Sequence, residues 1–154
     1  MPSLPERLAS VLGDVLRVEE EPDGGLTVHH DGTFASLQVV NIVEDLDLVS
    51  LTQIVAWDLP LTKKLSDQVA AHARDTNFGA VTLVEKVADK AAQRNSGKGA
   101  AKTASAFKTA SAFKTADVML RYNFPGAGLT DDALRTLILL VLDSGARIRG
   151  TLTT

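Results

Sequence analysis

The chain has 154 residues, 45% of them hydrophobic and 23% charged, with a formal net charge of −3 and no cysteine. That length suits one domain spanning residues 1–154, able to bury roughly two thirds of the surface its unfolded chain would expose. Disulfides and thiolate metal sites are excluded, and no apolar run approaches the roughly 20 residues of a membrane-spanning helix. In chain order, Ser3-Leu4-Pro5-Glu6 has the Ser-x-x-Glu spacing of a capping box with proline in the first turn. Leu4, Leu8, Val11, Leu12 and Val15 follow at helical intervals and predict a short amphipathic first helix. Met1 to Ser10 holds no apolar stretch able to serve as a signal peptide, so the expected location is the cytoplasm.

Two turn signals follow. Arg17 to Glu21 leads into Pro22-Asp23-Gly24-Gly25, and Leu26 to His30 leads into Asp31-Gly32, which predicts consecutive hairpins. Phe34 to Val43 is rich in branched residues and reads as a strand. The acidic Glu44-Asp45-Leu46-Asp47 can turn the chain, and Leu48 to Trp57 returns as a second strand whose apolar spacing also tolerates a helix. After Pro60, Leu61, Leu65, Val69 and Ala73 recur every fourth residue and predict a second helix, stopped by Asn77 and Gly79. Ala80 to Val87 reads as a strand. Val118, Leu120, Tyr122 and Phe124 alternate with Met119, Arg121 and Asn123 in the clearest period-two pattern of the chain.

The last helix is predicted over Thr130 to Ser144. Thr130 is a good N-cap, Asp131 and Asp132 favour the helix dipole, and Gly145 is the expected terminator. At about 100° per residue, Leu134, Leu137, Ile138, Val141 and Leu142 form the core-facing stripe. Leu139 and Leu140 fall outside it. That surplus apolar surface suits contact with a second chain or a ligand segment.

Charge is unevenly spread. Up to Pro60, Arg7 and Arg17 stand alone against eleven acidic residues, whereas the rest of the chain is net basic. Between Lys90 and Lys114 there is no acid, and Lys90, Arg94, Lys98, Lys102, Lys108 and Lys114 are all basic. Within this stretch Lys-Thr-Ala-Ser-Ala-Phe occurs at 102–107, again at 108–113, and begins a third time at Lys114-Thr115-Ala116. Six residues advance a helix by about 600°, so the repeat cannot keep one helical face. Its Ala, Ser, Lys and Thr bury little, and the expected form is a low-complexity basic hairpin insertion at about 91–115. The functional alternative is a basic arm that orders on RNA or DNA, but only Phe107 and Phe113 supply aromatic rings and the chain as a whole is acidic.

The joints between these elements carry a family resemblance. Ala56-Trp57-Asp58-Leu59-Pro60 precedes the second helix, while Phe124-Pro125 and Leu129-Thr130-Asp131-Asp132-Ala133-Leu134 join the last strand to the last helix. With the element order, they make the chain resemble the YbjN family of bacterial sensory transduction regulators, whose fold is that of type III secretion chaperones. The resemblance covers nearly everything outside about 91–115. It implies an α+β domain with three helices packed on an antiparallel sheet, frequent self-association, and a chaperone-like or regulatory binding role. The family supplies no catalytic residues to carry over, and the basic hairpin departs from its pattern.

Candidate chemistry is sparse. His29 and His30 are adjacent strand residues that point to opposite faces and would not converge on one ion. His72 sits one residue from the apolar line of the second helix, where a partly buried, hydrogen-bonded imidazole is the expected outcome. Asp45 with Asp47 reads as a turn, and Asp131 with Asp132 as helix-start charge. Gly97-Lys98-Gly99 lacks the full phosphate-loop spacing, and Ser144 lacks the setting of a hydrolase nucleophile. Trp57 and Tyr122 read as core or groove-lining aromatics. No catalytic residue, metal ligand or cofactor is therefore assigned. The expected function is a non-enzymatic, chaperone-like protein-binding module, a homodimer with a protein or peptide client. Its contact residues would be Leu139 and Leu140, with Tyr122 and Phe124 lining a groove. The alternative is a regulator sensing a small molecule between helix and sheet.

Overall fold

The computed structural model describes residues 2–86 and 114–153. Helix α1 (Leu4–Gly13) is followed by strands β1 (Arg17–Glu20), β2 (Leu26–His30), β3 (Thr33–Val43) and β4 (Leu46–Pro60). Helix α2 (Lys63–Asp75), strands β5 (Ala80–Lys86) and β6 (Thr115–Pro125), and helix α3 (Asp131–Leu152) complete the order. The strands form one six-stranded sheet in the order β1-β2-β3-β4-β6-β5, with every neighbouring pair antiparallel. β4 and β5 thus run the same way with β6 between them, and α2 is the crossover that a pair of like-directed strands requires. The fold is α+β.

Alternation along the strands sets the layers. Leu26 and Val28 of β2, Ala35 and Leu37 of β3, Val49 and Leu51 of β4, and Val118, Leu120 and Phe124 of β6 are all buried. They meet Leu8, Val11 and Leu12 of α1, Leu65 and Val69 of α2, and Leu134, Ile138, Val141, Leu142 and Ile148 of α3 in one core. The other face of the sheet carries Phe34, Ser36, Thr52, Ile54, Met119 and Val84, all exposed or half-exposed. Such alternation is what an antiparallel sheet covered on one side demands.

Local signals place most ends. The Ser3 hydroxyl accepts from the Glu6 N–H and donates to the Glu6 carboxylate, a variant of the capping box in which the glutamate does not reach back to the backbone. Asp31 and Gly32 take φ values of 45° and 81°, the two left-handed residues that a tight two-residue hairpin needs. The stretch Glu44 to Asp47 turns within two residues, since β3 runs to Val43 and β4 begins at Leu46. β4 is a strand throughout, extending beyond Leu48 to Trp57 at both ends.

Four expectations are corrected. α1 stops at Gly13, so Val15 lies outside the helix and is exposed. Thr115 belongs to β6 and the neighbouring Ala116 is fully buried, so the insertion at about 91–115 ends before β6; the repeat up to 113 and Val87 lie outside the described residues. Of the two readings of Trp57, core or groove-lining, its 41% exposure excludes the core, because β4 shifts register between Ile54 and Ala56 and buries Val55 and Ala56 in succession. The bulged end is stapled: the Asp58 N–H donates to Asp117 Oδ1 at 3.0 Å, and Lys86 Nζ lies 2.8 Å from Asp117 and 2.6 Å from Asp58. Hydrogen bonds to Asp117 and then Asp58 raise the Lys86 pKa, so the lysine stays charged at neutral pH and its part of the staple is lost as alkali deprotonates it.

The fourth correction concerns Gly145. It does not terminate α3, which continues to Leu152; it is buried in mid-helix. The reason lies on β4, where Gln53 is fully buried and packs against it. Gln53 Nε2 donates to Thr33 Oγ1 at 2.9 Å and to the Leu142 carbonyl at 3.1 Å. A Cβ on Gly145 would stand 2.0 Å from Gln53 Oε1. Alanine ordinarily improves a helix over glycine by about 1 kcal/mol. Here Gly145→Ala is expected to lower stability instead, by about 1–3 kcal/mol in urea denaturation, because overpacking outweighs propensity. A gain in stability would show that α3 does not rest on Gln53.

Candidate functional site

Helix α3 is anchored at its N-terminal end. Thr130 caps it by accepting from the Ala133 N–H at 3.1 Å. Arg7 of α1 holds the preceding joint, with Nε 2.8 Å from Asp131 Oδ1 and further hydrogen bonds to the Ala127 and Leu129 carbonyls. With that placement Leu134, Ile138, Val141 and Leu142 are buried, Leu137 and Leu139 are half-buried, and Leu140 is 46% exposed. The predicted surplus is thus concentrated in Leu140.

Leu140 lines a cleft of about 340 Å³ between α3, the C-terminal end of α2 and the α2–β5 turn. Phe78 of that turn, itself 39% exposed, faces the same cleft, as does Ile148. His72, Asn77, Ser144 and Arg147 add polar groups. The half-buried His72 ring lies with Nε2 2.7 Å from Thr151 Oγ1, joining α2 to α3 across the cleft. A second cleft of about 250 Å³ lies on the other side of that junction, between the end of β4, the start of α2 and Leu152.

An aromatic row connects the cleft to the core. Phe78 meets Tyr122 edge-on at 6.2 Å between centroids, and Tyr122 stacks on Phe124 at 5.4 Å. Gly79 brings the turn this close: at φ 98° it presses on β6 so tightly that a Cβ would stand 2.7 Å from the Arg121 carbonyl oxygen. Of the two sequence-predicted groove residues, Tyr122 is half-buried behind Phe78, while Phe124 is only 4% exposed. Phe124 therefore belongs to the core and cannot line an open groove. Its inward position on β6 and the turn packed by Gly79 place it there. Phe78 was missed in the sequence because a single aromatic between Asn77 and Gly79 belongs to no periodic pattern; the turn residues around it were its only signal.

A further exposed apolar group sits at the β3–β4 hairpin end, where Val40, Ile42, Val43 and Leu46 flank the acidic turn. Trp57 lies 5.7 Å from Phe34 and under the Arg149 guanidinium, which is 4.7 Å from the indole ring centroid. The two adjacent histidines diverge as strand geometry requires. His29 Nε2 lies 3.7 Å from Glu19, whereas His30 Nε2 lies 2.6 Å from Asp143 of α3.

Comparison of the chain with protein-family models, curated proteins and solved structures gives no match. The site is accordingly read from its own residues.

The aromatic row makes an ordered prediction. Phe78→Ala removes a partly exposed ring and is expected to cost about 1 kcal/mol, the scale of one aromatic pair contact. Phe124→Ala opens the core and is expected to cost about 3–5 kcal/mol. Urea denaturation of both variants checks the order, and equal costs would contradict the assignment of Phe78 to the surface and Phe124 to the interior.

Proposed function

We propose that the chain is a non-enzymatic, chaperone-like or regulatory protein-binding module of the YbjN type, cytoplasmic and homodimeric, that engages polypeptide through the Leu140–Phe78 cleft. The observation that carries this reading is the exposure of Leu140, at 46%, in the middle of a helix whose Leu134, Ile138, Val141 and Leu142 are enclosed. Phe78 stands beside it at 39% exposure, so two large apolar side chains from separate elements meet at one opening. Water contact at such a patch is relieved by a partner's apolar side chains. The polar groups around it supply hydrogen bonds at the rim, the distribution found in protein interfaces. No helix among the described residues is long and apolar enough to cross a membrane.

A second reading, a small-molecule sensor, draws on the same cleft, whose volume falls within the roughly 300–1,000 Å³ range of ligand pockets and whose lining mixes His72, Asn77 and Arg147 with apolar groups.

Sedimentation analysis separates the two. The wild-type chain is expected to dimerise with rising concentration, while Leu140→Glu remains monomeric with unchanged far-ultraviolet circular dichroism. Dimerisation undiminished in Leu140→Glu, or a wild type monomeric throughout, would reject self-association through this face. A dose-dependent rise in the thermal midpoint with a screened small molecule, abolished by the same substitution, would instead favour the sensor.

A further inference from the structure

Away from the cleft, three side chains with metal-ligating atoms converge where the β2–β3 turn meets α3. His30 Nε2 lies 2.6 Å from Asp143 Oδ1 and 3.6 Å from Asp31 Oδ2, and the ligand atoms of all three lie within 4.8 Å of one another. None of the three lines the Leu140 cleft. We propose that His30, Asp31 and Asp143 form a binding site for one divalent transition-metal ion of the zinc class.

Charge is the first argument. Two carboxylates share a single imidazole, and among the described residues neither pairs with an arginine or lysine. A neutral imidazole leaves two negative charges side by side, which a divalent cation neutralises. Spacing is the second. A tetrahedral zinc ion, with bonds of about 2.0–2.2 Å, holds neighbouring ligand atoms roughly 3.4 Å apart. Reaching that spacing needs the His30–Asp143 contact to open by about 1 Å and any wider pair, none beyond 4.8 Å, to close to match; a remaining coordination position falls to water. The donor set selects the ion: an imidazole nitrogen beside two carboxylates suits a borderline cation such as Zn²⁺, whereas Mg²⁺ prefers oxygen alone.

The support behind the ligands is the third argument. The Thr33 hydroxyl donates to the His30 carbonyl at 2.6 Å, and Gln53 Nε2 donates both to Thr33 Oγ1 and to the carbonyl of Leu142, the residue before Asp143. One buried amide thus ties both halves of the site to the same point of the sheet. Outer contacts of this kind fix ligand geometry in metal sites. The Asp31-Gly32 turn presents the third ligand, with Asp31 in the left-handed region that aspartate tolerates.

Isothermal titration of the metal-free full chain with ZnCl₂ tests the proposal, with MgCl₂ as the comparison ion. The expected result is saturable binding of one Zn²⁺ per chain and none of Mg²⁺ at the same concentrations. His30→Gln, Asp31→Asn and Asp143→Asn should each weaken it by roughly tenfold or more, while His29→Gln and His72→Gln leave it unchanged. The Asp→Asn variants alter exposed groups without changing side-chain shape, so circular dichroism should match the wild type. Absence of saturable Zn²⁺ binding, binding that survives all three substitutions, or binding lost in His29→Gln or His72→Gln would overturn it.

Discussion

The seating of α3 depends on a polar side chain placed where the sheet would ordinarily offer an apolar one. Gln53 lies at the centre of β4, fully buried, and must satisfy its amide inside the core. Its Nε2 does so by donating across to the Leu142 carbonyl and sideways to Thr33, while Oε1, turned against Gly145, has no hydrogen-bond partner among the described residues. Leaving such a group unpaired costs about 1–3 kcal/mol, so a rotated or shifted α3 is penalised even where its leucines would pack equally well. Gly145 completes the fit, because the helix can approach the amide only at a position without a Cβ. Hydrophobic burial supplies most of the stability of this fold, and the glutamine selects which of several greasy surfaces of α3 is turned inward.

The surface follows from that choice. With α3 fixed at Gln53 and clamped at its N-terminal end by Arg7, Leu142 faces the sheet and Leu140 faces out. The α2–β5 turn, pulled against β6 by Gly79, then sets Phe78 beside Leu140. The same amide also stands behind His30 and Asp143, so the proposed ion site and the proposed binding cleft are consequences of one internal contact seen from two sides of the helix.

Much of this was legible in the sequence, for reasons that are local. The Asp31-Gly32 turn, the period-two run of β6 and the caps at Ser3 and Thr130 depend on residues within a few positions of one another, and each stands where local chemistry puts it. Gly145 misled because a glycine near the end of an apolar run signals a stop unless the partner filling its missing side chain is known. That partner, Gln53, is distant in the chain. Trp57 is kept out of the core by the register shift after Ile54, which local residue pattern does not announce. Phe124 misled for another reason: its pattern marked an inward residue, and an inward residue at this point of β6 is enclosed rather than groove-lining. The approach of His30 to Asp143 had no sequence signal, since strand geometry forbids the His29–His30 pair and says nothing of a carboxylate on a helix.

The central claim is that Leu140 is the apolar surface left over for a partner once α3 is seated. Methyl-resolved NMR of the wild-type chain over a dilution series addresses it directly. The account predicts that the Leu140 methyl signals move with concentration while those of Ile138 and Leu142 stay fixed. Leu140 signals that never move, or core methyls that move with them, would contradict it.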